Sequence, residues 1–208
     1  MSSIDSETPT VFGLVLAAGQ SRRFGADKRR ALLPCGRTLL QASIDNSQAV
    51  FGTTWVVLRE DDDPSALGIP SGVTVVRSPD ALLGMGHSLA AGIQALQASR
   101  AAAVAILLGD MPWIAPDTLR TLVAMADSDR IALPVHDGQR GHPVIIGRRF
   151  WPALVGLEGD QGAKAVIAGH ADCVEVFECS DAGVLRDADT PDMLSSPAQG
   201  CTRQNSAG

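Results

Sequence analysis

The sequence has no long apolar run and no recognisable targeting signal. No stretch approaches the roughly 20 consecutive apolar residues that a membrane-spanning helix requires. Residues Met1 to Thr10 are polar and acidic, and they lack the basic and apolar regions of a secretory signal peptide. We therefore expect a cytoplasmic protein without a membrane segment.

Cysteine and histidine patterns that mark disulfide scaffolds or zinc sites are also missing. There is no CxxC pair, and scattered cysteines in a chain of 208 residues predict free thiols in a reducing compartment. The spacing of His87, His136 and His142 matches no standard zinc pattern. The four cysteines are Cys35, Cys173, Cys179 and Cys201.

The chain has no excess of positive charge. Its formal net charge of −6 argues against general nucleic-acid binding, which requires a basic face. The positive charge that exists is nevertheless concentrated, because six of the 17 lysines and arginines fall between residues 22 and 37. Such a local cluster is compatible with a phosphate site. Its members are Arg22, Arg23, Lys28, Arg29, Arg30 and Arg37.

The composition is that of a globular protein, with 45% hydrophobic and 19% charged residues. Residues 11–195 are expected to form one domain, and the polar ends, 1–10 and 196–208, are expected to be disordered. Val11 to Ala17 is a continuous apolar run, which is typical of a buried parallel strand. Further strands are predicted at 54–58, 73–76, 103–108, 131–134, 143–146 and 173–177, and helices at 38–50, 87–98, 116–126, 149–155 and 161–168. This alternation predicts an α/β fold whose mostly parallel sheet is covered on both faces, with ligands beyond the carboxyl ends of the strands.

A glycine-rich, basic segment from Leu16 to Lys28 follows the first predicted strand. Its small residues allow the backbone to approach a ligand, and successive amide groups can bind phosphate oxygens. Arg23 and Lys28 add positive charge for a triphosphate. The alternative is a glycine-rich turn with a solvated basic face. The segment lacks GxxxxGK[ST], so it is not a P-loop.

Two later segments place carboxylates after short apolar runs. Asp110 follows the predicted strand 103–108, and Asp187 and Asp189 follow Gly183 to Leu185. A carboxylate at the end of a buried strand is costly unless it is paired, and Mg²⁺ with a triphosphate is one such partner. A turn or a helix cap is the alternative for both segments.

Together these segments resemble the MobA-like nucleotidyltransferase family. The chain carries LAAG-x-S-x-R-x-G-x-x-K from Leu16 to Lys28, and GDMP and DADTP follow in that order. The resemblance covers about Val11 to Leu194. It implies a Rossmann-like three-layer α/β fold of the nucleotide-diphospho-sugar transferase type, with Mg²⁺ as cofactor and a nucleoside triphosphate as substrate.

The resemblance also implies roles for individual residues. Lys28, Arg23 and Asp110 are the implied catalytic residues, and Asp110 with Asp187 or Asp189 is the implied metal site. Ser88 lies in the segment Gly84 to Leu89, which resembles the one that contacts the base. The implied nucleotide-binding residues are Leu16, Ala17, Ala18, Gly19, Ser21, Arg23, Lys28, Ser88 and Asp110.

Two stretches resemble the molybdenum cofactor cytidylyltransferases, in which CTP is the donor and molybdopterin, a phosphorylated pterin, the acceptor. They are Gly141 to Val144 (GHPV) and Gly159 to Lys164 (GDxGA and the following lysine). Asp160 either belongs to the acceptor site or caps the following helix. The Ala17–Ala18 pair also resembles the cytidylyl branch, whereas Gly25 to Lys28 resembles the guanylyl branch, so CTP is the favoured donor and GTP is the alternative. The implied acceptor-binding residues are Gly141, His142, Pro143, Gly159, Gly162 and Ala163.

Three other functions compete with this interpretation. The same chemistry could act on another phosphorylated acceptor, such as a sugar phosphate. A non-catalytic carrier could deliver the cofactor to a molybdoenzyme, and even the transferase could contact such an enzyme transiently. A metal-dependent hydrolase is disfavoured, because the sequence has no clustered set of His and Asp ligands.

Overall fold

The computed structural model describes residues 9–21, 24–190 and 193–194. The ends that the sequence predicts to be disordered lie outside these ranges, apart from residues 9 and 10. Arg22 and Arg23 also lie outside the described residues, and so does Pro191 of the DADTP segment.

The described residues form one eight-stranded mixed sheet in the order β3-β2-β1-β4-β7-β5-β6, in which β8 also pairs with β5. The first four strands of this order are mutually parallel, β7 is antiparallel to both β4 and β5, and β8 is parallel to β5. The predicted α/β fold with a mostly parallel sheet is therefore confirmed. The strands are β1 (Val11–Leu16), β2 (Thr54–Arg59), β3 (Thr74–Ser78), β4 (Ala103–Leu108), β5 (Ile131–His136), β6 (Gln139–Arg140), β7 (Val144–Gly147) and β8 (Val174–Glu178).

Five α-helices are described, and the sequence explains where several of them begin. At α1, the Thr38 side chain accepts a hydrogen bond from the Gln41 amide, and the Gln41 side chain accepts one from the Thr38 amide, which forms a capping box. Helix α3 begins at a proline, whose missing N–H costs nothing there. The helices are α1 (Leu39–Gln48), α2 (Met85–Leu96), α3 (Pro116–Ala124), α4 (Trp151–Val155) and α5 (Lys164–Gly169).

Helix α5 begins later than the sequence predicts. Its first residue is Lys164, and Ala163 occupies the N-cap position without a side-chain hydrogen bond. The alternative in which Asp160 caps this helix is therefore wrong. Positive φ angles at Gly159 and Gly162 keep the preceding segment out of the helix.

The helices cover both faces of the sheet, which explains why β1 is apolar at almost every position. Leu14 packs in a buried cluster with residues of α2 and α4, such as Ile93 and Leu154. Val15, which points to the opposite face, packs with Ile44 of α1 and Leu119 of α3. Because a strand that is buried on both faces has no exposed side, polar and apolar residues do not alternate along it.

The structure describes the state of three cysteines, and it differs from the prediction at one of them. Cys173 and Cys179 are free, whereas Cys35 is disulfide-bonded, so the expectation of free thiols throughout is wrong at Cys35. Among the described helices, none is long and apolar enough to cross a bilayer.

Candidate active site

The parallel pairing of β1 with β4 brings two of the sequence motifs together. Leu16 and Leu108, the last residues of these strands, are partners in register. Beyond them, the Gly109 amide donates a hydrogen bond of 2.9 Å to the Leu16 carbonyl. The glycine-rich loop that follows β1 and the GDMP segment that follows β4 therefore lie side by side at the carboxyl edge of the sheet.

A cleft of about 390 Å³ opens at this edge. One wall is the glycine-rich loop and the other is the segment from Ala81 to Met85. Arg29 and Asp160 also contribute to its lining. The nucleotide-binding residues that the sequence predicts in the described part of the chain all line this cleft: Leu16, Ala17, Ala18, Gly19, Ser21, Lys28, Ser88 and Asp110.

Three carboxylates meet beside the cleft, and Asp110 is the one of them that lines it. One oxygen each of Asp110, Asp187 and Asp189 lies within 4.8 Å of the others. The Ala188 amide donates a 3.1 Å hydrogen bond to the Asp110 carbonyl, which holds the two segments together. The structure thus brings together the acidic residues between which the sequence alone could not choose.

Lys28 reaches this cluster from the glycine-rich loop. Its Nζ lies 2.5 Å from Asp110 Oδ2 and 3.6 Å from Asp189 Oδ1. Burial, together with the neighbouring carboxylates of Asp189 and Asp110, raises the pKa of Asp187 above its usual value.

This donor set fits a hard divalent cation. Mg²⁺ and Mn²⁺ prefer carboxylate and phosphate oxygens, and Mg²⁺ is commonly held by one or two carboxylates together with substrate phosphates. A cation between Asp110, Asp187 and Asp189 would relieve the repulsion among them. Lys28 would then be available to the phosphates of a substrate in the adjoining cleft.

The glycine-rich loop contains an uncommon backbone conformation. Ser21 has a φ of 51°, a value that few residues other than glycine adopt. Its Oγ accepts a hydrogen bond of 3.3 Å from the Lys28 amide, so the turn at Ser21 is tied to the start of the short 3-10 helix Lys28–Arg30. This contact links the loop to the position of Lys28.

Behind the loop lies a group of charged residues that the motifs do not reveal. Arg29 is 5% exposed and donates hydrogen bonds to Asp27, Asp62 and the Ala17 carbonyl. Arg59 donates to the carbonyls of Ala18 and Gly19. Arg59 is the last residue of β2. The one sequence signal for this residue is its place at the carboxyl end of a predicted strand, where ligand sites of such sheets lie.

The segment Gly159 to Lys164, which is predicted to bind the acceptor, packs against the segment Gly84 to Leu89, which is predicted to contact the base. The Gly86 amide donates a 2.7 Å hydrogen bond to the Gly159 carbonyl. Gly162 approaches Met85, and Asp160 lines the cleft. This segment therefore supports the wall of the cleft.

The GHPV segment occupies a second place near the carboxylates. The His142 amide donates to the Val184 carbonyl at 2.8 Å, and the peptide bond to Pro143 is cis. His142 Nδ1 is buried and has no hydrogen-bond partner among the described residues. Burial lowers the pKa of His142, while the Ile106 backbone and, to a smaller extent, the nearby Asp110 oppose this effect. None of the six residues predicted to bind the acceptor lines the cleft itself.

The MobA-like NTP transferase domain matches residues 13–174 of the chain, and this match spans the cleft and its carboxylate at Asp110. The chain belongs to this family. It is a nucleotidyltransferase of the MobA-like type, as the order of its motifs predicts.

Several proteins are similar to this chain in sequence. The purine catabolism protein PucB of Bacillus subtilis is 30% identical over 89% of this chain and 94% of its own length. The nicotine blue oxidoreductase of Paenarthrobacter nicotinovorans is 29% identical over 91% of this chain and 97% of its own length. A molybdenum cofactor guanylyltransferase of a Bradyrhizobium strain is 33% identical over 71% of this chain and 68% of its own length.

Solved structures show the same fold. A homologue of Mycobacterium tuberculosis Rv0371c from Mycobacterium strain JC1 is 30% identical, with a TM-score of 0.74 over 88% of this chain and 92% of that one. The manganese complex of Rv0371c itself is 28% identical, with a TM-score of 0.67 over 82% and 88%.

Proposed function

We propose that the protein is a Mg²⁺-dependent enzyme that transfers a nucleotidyl group from a nucleoside triphosphate to molybdopterin and releases pyrophosphate. The observation that carries the proposal is the end of the cleft, where Lys28 meets the cluster of Asp110, Asp187 and Asp189. The cleft also contains every predicted nucleotide-binding residue of the described chain.

The metal would be held by Asp110 together with Asp187 and Asp189. When bound, Mg²⁺ supplies charge neutralisation at the α-phosphate and the leaving pyrophosphate. That the Rv0371c structure contains manganese supports a divalent cation in this proposal. The choice of Mg²⁺ rests on the carboxylate and phosphate oxygens that would surround it.

The reaction requires little proton transfer from the protein. A phosphate oxygen of the acceptor attacks the α-phosphorus of the triphosphate, the bond to the β-phosphate oxygen breaks, and pyrophosphate leaves. Because the attacking phosphate is anionic near neutral pH, catalysis depends on positioning and on charge. The glycine-rich loop orients the triphosphate, and Lys28 stabilises the negative charge that develops on the leaving group.

CTP is the donor that we favour. The GHPV and GDxGA segments and the Ala17–Ala18 pair support a cytidylyltransferase, whereas the Bradyrhizobium guanylyltransferase and Gly25 to Lys28 support GTP. A cytoplasmic location and a transient contact with a molybdoenzyme, which would receive the product, belong to the same proposal.

Pyrophosphate release tests this proposal. The protein is incubated with Mg²⁺ and each of CTP, GTP, ATP and UTP, with and without molybdopterin. We expect pyrophosphate release with CTP, and we expect it only when molybdopterin is present. Release chiefly with GTP would assign the protein to the guanylyl branch. Tight nucleotide binding without any release would contradict transfer to molybdopterin and favour a carrier.

A further inference from the structure

Three consecutive carbonyl groups of the glycine-rich loop are bound by guanidinium groups. Arg29 Nη1 donates to the Ala17 carbonyl at 2.9 Å, and Arg59 Nε donates to the Ala18 carbonyl at 3.1 Å. Arg59 Nη2 also donates to the Gly19 carbonyl. A single half-buried arginine from β2 therefore fixes two adjacent peptide groups of the loop.

These contacts determine where the amide groups of the loop point. In a planar trans peptide the carbonyl of one residue and the N–H of the next point in opposite directions. Arg59 holds the carbonyls of Ala18 and Gly19, so it turns the N–H groups of Gly19 and Gln20 to the other side of the loop. Arg59 is not among the residues that line the cleft, whereas Gly19 and Gln20 are.

The two arginines are themselves held by Asp62. This carboxylate accepts hydrogen bonds of 2.5 and 2.7 Å from Arg29 and one of 2.9 Å from the Arg59 amide. Arg77 donates to the carbonyls of Arg59 and Asp62, which fixes the same turn after β2. Asp62 thus orients the Arg29 guanidinium directly, and together with Arg77 it fixes the backbone from which the Arg59 side chain reaches the loop.

We propose that Arg59 is a positioning residue of the nucleotide site, with Arg29 and Asp62 as its support. It orients the Gly19 and Gln20 amides towards the phosphates of the triphosphate, and it makes these amides stronger donors because its charge polarises their peptide groups. This inference rests on the proposed function, since it requires a triphosphate in the cleft. It also gives the charge cluster of the sequence a second role, because Arg29 supports the loop from a buried position.

The test is direct binding of CTP and GTP, with Mg²⁺, measured by calorimetry on wild-type protein, Arg59→Met and Arg59→Lys. Arg59→Met is expected to weaken binding of the better nucleotide about tenfold, because two charge-assisted hydrogen bonds to the loop are lost. Arg59→Lys is expected to recover part of this loss, since lysine keeps the charge but lacks the fork that binds both carbonyls. In turnover assays the KM for the nucleotide should rise more than kcat falls, because Lys28 and Asp110 are unchanged.

Arg37→Met is the matched control. Arg37 belongs to the same cluster in the sequence, but it is half exposed and pairs with Asp45, 2.5 Å away, outside the cleft. Its loss should leave nucleotide binding within twofold of wild type. Should Arg59→Met melt at a lower temperature than Arg37→Met, binding is measured at a temperature at which both variants are folded.

The possible results separate this inference from the proposed function. Wild-type protein that binds neither nucleotide would overturn the proposed function, and this inference with it. Wild-type binding with unchanged affinity in Arg59→Met would overturn only the role of Arg59. An equal loss of nucleotide affinity in Arg59→Met and Arg37→Met would also contradict the role of Arg59.

Discussion

At the scale of single residues, the contact between Lys28 and Asp110 connects two distant parts of the sequence. The lysine belongs to the loop region after β1 and the aspartate to the end of β4, yet their charged atoms are 2.5 Å apart. Each residue compensates the charge of the other when the cleft holds no substrate. A metal and a triphosphate would replace this pairing, because the metal takes the carboxylate and the phosphates take the ammonium group.

Replacing Asp110 with alanine is expected to abolish most of the activity. The variant loses a carboxylate of the proposed metal site, and we expect turnover to fall by at least about a hundredfold, which corresponds to about 2.7 kcal/mol of transition-state stabilisation. Pyrophosphate release measures the effect. Asp117→Ala is the control, because the Asp117 side chain is 94% exposed on α3 and pairs only with its neighbour Arg120 among the described residues. Near-normal turnover by Asp110→Ala would remove this residue from the site.

His142 is expected to make stability dependent on pH. Burial lowers its pKa below the ordinary value of 6.5, so folding favours the neutral imidazole. The contribution of the neutral His142 to the free energy of unfolding is therefore fully present above pH 6.5, and it is lost as the pH falls below that value. Urea unfolding at pH 7 and pH 5 should show a smaller loss of stability in His142→Gln than in wild-type protein. Equal losses in the two proteins would contradict the prediction.

At the scale of secondary-structure elements, the start of α2 and the 158–162 segment behave as one unit. A Cβ atom on Gly86 would lie 2.8 Å from the carbonyl oxygens of Glu158 and Gly159. Contacts of this kind are too short, so the segment that carries Asp160 into the cleft wall would have to move.

Gly86→Ala is therefore expected to raise the KM for the nucleotide and to destabilise the fold by roughly 1–3 kcal/mol. Steady-state kinetics and urea unfolding measure the two effects. Gly156→Ala is the control, because a Cβ atom at Gly156 meets no other atom within 4 Å and its φ is negative. If Gly86→Ala keeps the wild-type KM, the 158–162 segment does not shape the nucleotide site.

The strands of the core could be predicted from the sequence, whereas some of the connections could not. β4 was predicted with its observed bounds, because its apolar run is continuous and is bounded by polar or glycine residues on the carboxyl side. The two-residue strand β6 has no apolar pattern, since both of its residues are exposed. Helix α5 begins late because Gly162 has a positive φ, a conformation that composition does not reveal.

Some residues of the candidate site could likewise be predicted from the sequence, and others could not. Motifs with fixed spacing identified Lys28, Asp110 and the pair Asp187 and Asp189, which the fold brings together. The network of Arg29, Arg59 and Asp62 was not predicted, because it depends on the parallel pairing of β1 with β2 and on burial of a charged side chain. Neither property has a signature in a local stretch of sequence.

At the scale of the whole molecule, ligand binding should stabilise the fold. The cleft joins segments after β1 and β4 with the start of α2, so an occupied site holds separate parts of the chain together. At a hundredfold excess over Kd, a ligand adds about 2.7 kcal/mol. Mg²⁺ with the preferred nucleotide should therefore raise Tm in wild-type protein, and the increase should be smaller in Asp110→Ala. An equal increase in both proteins would place the binding outside this site.

Transfer of a nucleotidyl group to a phosphorylated acceptor can be followed through the α-phosphorus of the triphosphate. CTP and GTP labelled at the α-phosphate are incubated with Mg²⁺, molybdopterin and either wild-type protein or Asp110→Ala. We expect wild-type protein to move the label into a molybdopterin–nucleotide conjugate and to release unlabelled pyrophosphate, and we expect Asp110→Ala to do so at least about a hundredfold more slowly. Label that stays in the triphosphate, or appears only as free nucleoside monophosphate, would contradict it.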